Sequence, residues 1–196
     1  MAISLGKEQK ISLTKEAGSG LTKVFMGLGW DPVKAKGMFG GLFGGGDGGS
    51  IDLDASCMMF DGNKQLVDTI WFRQLKSHDG SIRHSGDNLT GDGSGDDEVI
   101  YVDLTRVPSS VQSLVFVITS FRGQTFDKVE SAFCRLVDES KNKELARFTL
   151  SDKTPVTAQV MAKVYKENGE WMMQAIGAPT NGTVQNQLLP VVQRYL

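Results

Sequence analysis

No stretch of this chain approaches the ~20 consecutive apolar residues that cross a bilayer, so no integral membrane segment is expected. The opening residues, MAISLGKEQKISL, lack the apolar run of a secretory signal. Cysteine is almost missing. Cys57 and Cys134 both fall in apolar strand-like runs without CxxC spacing, so buried reduced thiols and a cytoplasmic location are expected. Histidine is equally scarce. His78 and His84 do not lie in a helical metal motif. His84, Ser85 and Asp87 hold the elements of a hydrolase triad, but near neighbours along a strand do not generally meet in triad geometry. A bulk charge of one sign is also absent: a net charge of −2 gives no reason to expect a nucleic-acid partner. Glycine is plentiful, yet the Gly-Lys-Ser/Thr of a phosphate-binding loop does not occur within its richest stretch. These absences favour a protein that is not an enzyme.

What is present is period-two alternation of β-branched and aromatic residues. It predicts strands at 10–13, 23–28, 52–60, 66–73, 81–84, 99–104, 113–120, 133–137, 144–150, 160–166 and 170–176. Asp61-Gly62-Asn63, Asp79-Gly80 and Asn168-Gly169 mark turns, the last a strong hairpin signal. Helical spacing is confined to 126–133 and 183–195, where Pro190 should interrupt or restart the second helix. Trp71-Phe72 and Trp171 read as strand residues, and Arg73, Lys76, Arg83 and His84 by default as a solvated strand face, with a small basic face as the alternative. The fold class is mainly β: a single domain over 1–196, built as a two-sheet β-sandwich with a few short helices including a C-terminal one. Residues 37–49 break the rhythm with eight glycines in thirteen residues around Met38, Phe39, Leu42 and Phe43. They read as a flexible loop whose apolar residues either dock on the sandwich or meet a partner.

The chemistry concentrates at 85–98, SGDNLTGDGSGDDE. Five carboxylates, Asp87, Asp92, Asp96, Asp97 and Glu98, stand there among four glycines and no cation. Such a cluster is tolerated if it stays solvated or if a cation joins it. Oxygen ligands on a glycine-rich loop favour calcium. The helical calcium hand does not fit, because the third, fifth and sixth loop positions are Leu89, Gly91 and Asp92. In Ile51-Asp52-Leu53-Asp54-Ala55-Ser56-Cys57, alternation puts Asp52 and Asp54 on one face and the apolar residues on the other. Asp31 lies just past another strand end. If these strand ends converge, Asp31, Asp52 and Asp54 share a metal with the loop. The plainer alternative is a solvated edge whose aspartates bond to backbone amides.

GLGWD (27–31), DLDAS (52–56), HSGDNLTGDGSGDDE (84–98), VDL (102–104) and NGEW (168–171) together resemble the TerD family of tellurium-resistance and stress proteins. The segments WFRQLKS and SFRGQTFDKVESAFCRLVDE are most similar to its TerZ branch. The likeness runs over essentially the whole chain. It implies a cytoplasmic β-sandwich, peripheral to the inner membrane, that binds Ca2+ and works with other Ter-family proteins and an inner-membrane Ter protein rather than transforming a substrate. The family's acidic motif falls on Asp52, Asp54, Asp87, Asn88, Asp92, Asp96, Asp97 and Glu98. Asp92 stands where many relatives carry glutamate, which shortens its reach, and Ser94 where many carry aspartate, which removes an acid. By physical analogy with other sandwiches that hold metals in end loops, the alternative is a calcium-dependent membrane or partner adaptor inserting Phe39 and Phe43.

Overall fold

The structure, a computed structural model, describes residues 2–18, 20–32, 52–87, 95–150, 153–182 and 185–196. The glycine-rich 37–49 segment, with the residues expected to dock or insert, therefore lies outside the described residues. In chain order the strands are β1 (Ile3–Ser4), β2 (Lys10–Ser12), β3 (Lys23–Pro32), β4 (Leu53–Asp61), β5 (Leu66–Ile70), β6 (Ile82–His84) and β7 (Glu98–Asp103). They continue with β8 (Val111–Ser120), β9 (Val129–Asp138), β10 (Lys143–Leu150), β11 (Ala158–Glu167) and β12 (Glu170–Thr180). Two helices, α1 (Leu13–Ala17) and α2 (Gln185–Val192), complete the set.

The strands form two six-stranded sheets, ordered β1-β10-β9-β3-β7-β6 and β2-β12-β11-β8-β4-β5. Alternation explains how they close on each other. Met26, Leu28 and Trp30 of β3 and Leu136 of β9 meet Leu53, Ala55 and Cys57 of β4 and Phe116 and Ile118 of β8 in one buried cluster. The second sheet is apolar on its other face as well. There Met58, Phe60, Val115, Val117, Val160 and Ile176 are covered by Leu188 and Val192 of α2. Burial on both faces is why 53–60 is buried at every residue. Asn168 and Gly169 both take positive φ, 51° and 80°, in the hairpin between β11 and β12, as their residue types predict. Cys57 and Cys134 are buried free thiols. Burial pushes both thiols up, Cys134 to about 12, which leaves them little thiolate and little reactivity.

Several local expectations are corrected. The helix expected at 126–133 is a single 3-10 turn, Phe126–Lys128, after which β9 begins at Val129. Phe126 and Val129 go into the core, and Ala132, Cys134 and Leu136 follow at strand spacing, so sheet pairing outweighs the local helical pattern. In the last helix Pro190 is accommodated rather than breaking the turn. The helix runs on to Val192 and then tightens into a 3-10 turn, Gln193–Tyr195. Proline removes one backbone donor, and burial of Leu188 and Val192 against the second sheet outweighs that loss. The fifth strand stops at Ile70, so Trp71 and Phe72 lie beyond it in a tight turn closed by Trp71 and Gln74. The four residues expected by default to share a solvated strand face do not all do so. His84 is buried, and the Arg73 guanidinium sits 5.3–5.6 Å from the rings of Trp71, Phe72 and Phe121. The two-residue β1 and the one-turn α1 are too short to leave a periodic signal.

Candidate metal centre

Sheet order decides which acidic residues can meet. β4, which carries Asp54 and follows Asp52, belongs to the second sheet; β6, which leads into Asp87, is the edge of the first. The sheets converge there, and each of Asp52, Asp54 and Asp87 offers a carboxylate oxygen within 4.8 Å of the others. Among the described residues this is the one such grouping of acids, cysteines and histidines. Asp52 and Asp54 are only 4% and 3% exposed, whereas Asp87 is exposed.

The two buried carboxylates are short of partners. Arg122 Nε lies 3.0 Å from Asp52 Oδ2, but Asp52 Oδ1 and Asp54 Oδ2 are buried without a hydrogen bond. Leaving a buried charged acceptor unpaired costs at least about 1–3 kcal/mol. Burial raises the Asp52 carboxyl, Arg122 opposes that, and Asp87 adds to it. The Asp54 carboxyl is pushed up to about 7, first by burial and then by Glu98, Asp52 and Asp87. Without a counter-charge this corner of the sandwich favours a proton on Asp54. A hard cation supplies what is missing: positive charge facing an oxygen-only donor set with lone pairs unspent.

Glu98 holds the platform. It is fully buried, accepts the Ala55 N–H at 2.6 Å, and lies 3.3 Å from His84 Nε2. His84 Nδ1 accepts the Gly86 N–H at 3.0 Å, which leaves Nε2 to donate to the Ala55 carbonyl at 3.2 Å. The first sheet thus grips the backbone of the residue after Asp54, and the turn toward Asp87 hangs from the same imidazole. His84 is a positioning residue, with its two ring nitrogens already used.

Asp96 and Asp97 are held elsewhere. Asp96 receives a two-pronged ion pair from Arg135, at 2.7 and 2.8 Å. Asp97 Oδ2 accepts the Trp30 N–H at 2.7 Å, and its own N–H donates to the Leu28 carbonyl at 2.8 Å. Gly27 and Gly29 permit this close seating. A Cβ at Gly27 would stand 2.2 Å from the Asp96 carboxyl carbon, and one at Gly29 would stand 2.7 Å from the Gly95 carbonyl oxygen. Asp31 continues β3, its backbone paired with Ser131. Its side chain, like Asn88 and Asp92, lies outside the described residues. Sequence reasoning missed Arg122, Arg135 and the seating glycines. For the glycines the signal was available: two residues apart on one strand, they share a face, and missing side chains there mark a close approach.

Comparison with known proteins bears on the family and the fold. The TerD domain matches residues 1–191. The chain is 52% identical over 180 residues to the tellurium resistance protein TerZ of Serratia marcescens, covering 92% of this chain and 91% of that one. It is 42% identical to stress response protein SCP2 of Bacillus subtilis (strain 168), with both chains covered completely. The fold is also that of a solved homologue of telluride resistance protein (TerD) from Streptomyces coelicolor A3(2), with a TM-score of 0.63 at 21% identity over 83% of this chain and 92% of that one.

Proposed function

The chain belongs to the TerD family, and on that footing we propose that it is a calcium-binding, non-enzymatic stress-response protein of tellurite resistance, working within a cytoplasmic multiprotein assembly. The observation carrying the metal is the convergence of Asp52, Asp54 and Asp87 with two buried carboxylate oxygens left unbonded. These three side chains would hold the ion, with Glu98 and His84 positioning the strand that presents Asp54. Calcium held there would supply two positive charges to carboxylates that come from both sheets. Its role is structural and electrostatic. The cysteines are too deeply buried for thiol chemistry, and the two histidines are committed, His84 to backbone contacts and His78 to Asp68 at 3.0 Å. Its relatives TerZ and SCP2 are named for resistance and stress rather than for a reaction.

Because only the folded chain gathers these carboxylates, calcium at about 100 times its Kd should add roughly 2.7 kcal/mol of stability. For a chain of this size that is a rise in Tm of about 5–10 °C. Calorimetric titration and melts in EGTA against millimolar calcium test this. Superimposable melting curves refute the metal site.

A second reading, a calcium-dependent adaptor, is favoured by one observation. Phe121 is 43% exposed, stacks edge-on to Phe72 with ring centroids 5.4 Å apart, and immediately precedes the arginine that pairs with Asp52. Anionic vesicles should then pellet the protein with calcium and release it when Phe121→Ala and Phe72→Ala are combined. No pelleting with calcium leaves the first reading alone. Among the described residues no helix is long and apolar enough to cross a membrane.

A further inference from the structure

The strand that braces the acidic centre through Glu98 at one end meets a basic cluster at the other. From Glu98 to Asp103, β7 spans about 16 Å at the usual rise per residue. At its far end a cavity of about 260 Å³ opens on the edge of the first sheet. Register brings its walls together. Lys23 pairs with Asp103, Arg83 with Tyr101, and Lys76 bridges to Arg83. Arg106 enters from the turn after β7. Four cations thus face two acids, Asp103 and Glu139. Asp103 Oδ1 is already taken by the Thr105 N–H and hydroxyl, at 3.1 and 2.6 Å. Among the described residues, no ion pair within 4.0 Å joins any of these four cations to a carboxylate.

Two features go beyond a solvated basic surface. The first is Gly80, at φ +72°, where an added Cβ would lie 3.1 Å from an Arg106 terminal nitrogen and 3.3 Å from Lys76 Cε. Both cationic side chains therefore pack close to the same bare backbone, and neither is in a direct ion pair with a carboxylate. The second is Ser81. It lines the cavity, is 3% exposed, and has a buried hydroxyl without a hydrogen-bond partner. Its backbone is fixed at both ends: the N–H donates to Asp79 at 2.6 Å, and the carbonyl accepts from Asp103 at 2.8 Å. Among the buried hydroxyls without a partner, which also include those of Ser120 and Tyr165, this one belongs to a residue of the cavity wall, and it keeps a donor to spend.

We propose that this cavity binds a phosphoryl group. Lys76 and Arg106 meet its charge, Arg83, held 4.0 Å over the Tyr101 ring, closes the side, and the Ser81 hydroxyl donates to one oxygen. The volume equals that of about nine waters, enough for one phosphoryl group and part of the molecule that bears it. Nothing in this site depends on the calcium reading.

The probe is pyrophosphate, titrated calorimetrically in EDTA so that the carboxylate centre takes no part. One equivalent should bind, more weakly as salt is raised. Arg106→Gln and Lys76→Gln should each weaken binding about tenfold, and Ser81→Ala about fivefold. Arg194→Gln, on the exposed C-terminal turn, should leave binding unchanged. Ser81→Ala removes a hydroxyl that bonds to nothing, so its fold should survive, as circular dichroism will verify. A second arm mixes the protein with phosphatidic acid or phosphatidylcholine vesicles in EDTA. Sedimentation with the first alone, lost in Arg106→Gln, assigns the phosphoryl group to a lipid headgroup; pyrophosphate binding without sedimentation assigns it to a small molecule. The proposal is overturned if neither probe binds, or if binding is indifferent to the Lys76→Gln/Arg106→Gln double variant.

Discussion

Asp54→Asn is expected to abolish most of the calcium-dependent gain in Tm and, in EGTA near pH 8, to leave a protein more stable than the parent. The two halves of this result have one cause. The Asp54 carboxyl is raised to about 7 from an ordinary 3.8 by burial and by Glu98, Asp52 and Asp87. A group whose folded pKa lies above its unfolded pKa contributes stability that is fully present below about 3.8 and is lost as pH climbs through about 7. At about 1.4 kcal/mol per unit, the loss is on the order of a few kcal/mol once Asp54 is ionised. Without metal, the parent should therefore weaken between pH 5 and pH 8, and the asparagine variant, nearly isosteric and uncharged, should not follow it. Protons and calcium compete for the same oxygens, so the calcium-dependent gain in the parent should be larger near pH 8 than near pH 6. Melts at those two pH values, with calcium and with EGTA, read out all four numbers. A calcium gain in Asp54→Asn equal to that of the parent would remove Asp54 from the site.

Much of this centre was legible because alternation needs only neighbours. DLDAS puts two aspartates on one side of a strand and the core residues Leu53, Ala55 and Cys57 on the other, and the strand is built that way. The two sheets follow from the same period-two pattern. What alternation cannot supply is the partner of each charge. Asp96 and Asp52 look alike in the sequence. One is neutralised by the paired Arg135; the other keeps a buried oxygen unbonded beside Arg122. Both arginines come from distant strands or turns, and only sheet order says which acid each one faces. His84 was misread for a related reason. As an isolated residue on a short strand it suggests a solvated face, whereas its burial depends on β4 of the other sheet passing beneath it. The helical pattern at 126–133 failed because a short local period yields to ten residues of strand pairing.

Gly29→Ala should be the most damaging single methyl added near the site. In the register of β3 against β9, Gly29 stands opposite Phe133, whose ring occupies the space a side chain would need. A Cβ there would meet Phe133 Cζ at 2.4 Å and the Gly95 carbonyl oxygen at 2.7 Å. A ring can swing, although Arg147 is stacked 4.5 Å over this one. The carbonyl cannot move without lifting the backbone that presents Asp96 to Arg135 and Asp97 to Trp30. Overpacking of this kind costs about 1–3 kcal/mol, and a backbone collision joined to a hindered ring places it at the upper end. The expected fall in Tm is about 6–12 °C. Calcium affinity should fall with it, because Glu98, the residue after Asp97, braces Ala55 beside Asp54. Gly62→Ala is the control: its Cβ would find only Gln112 Cγ at 3.6 Å, an ordinary contact, and both stability and calcium binding should hold. If Gly29→Ala lowers Tm but binds calcium as the parent does, the seating of 95–98 on β3 supports the fold without setting the site. If Tm is unmoved as well, the close approach of Gly95 to β3 is not what fixes that loop.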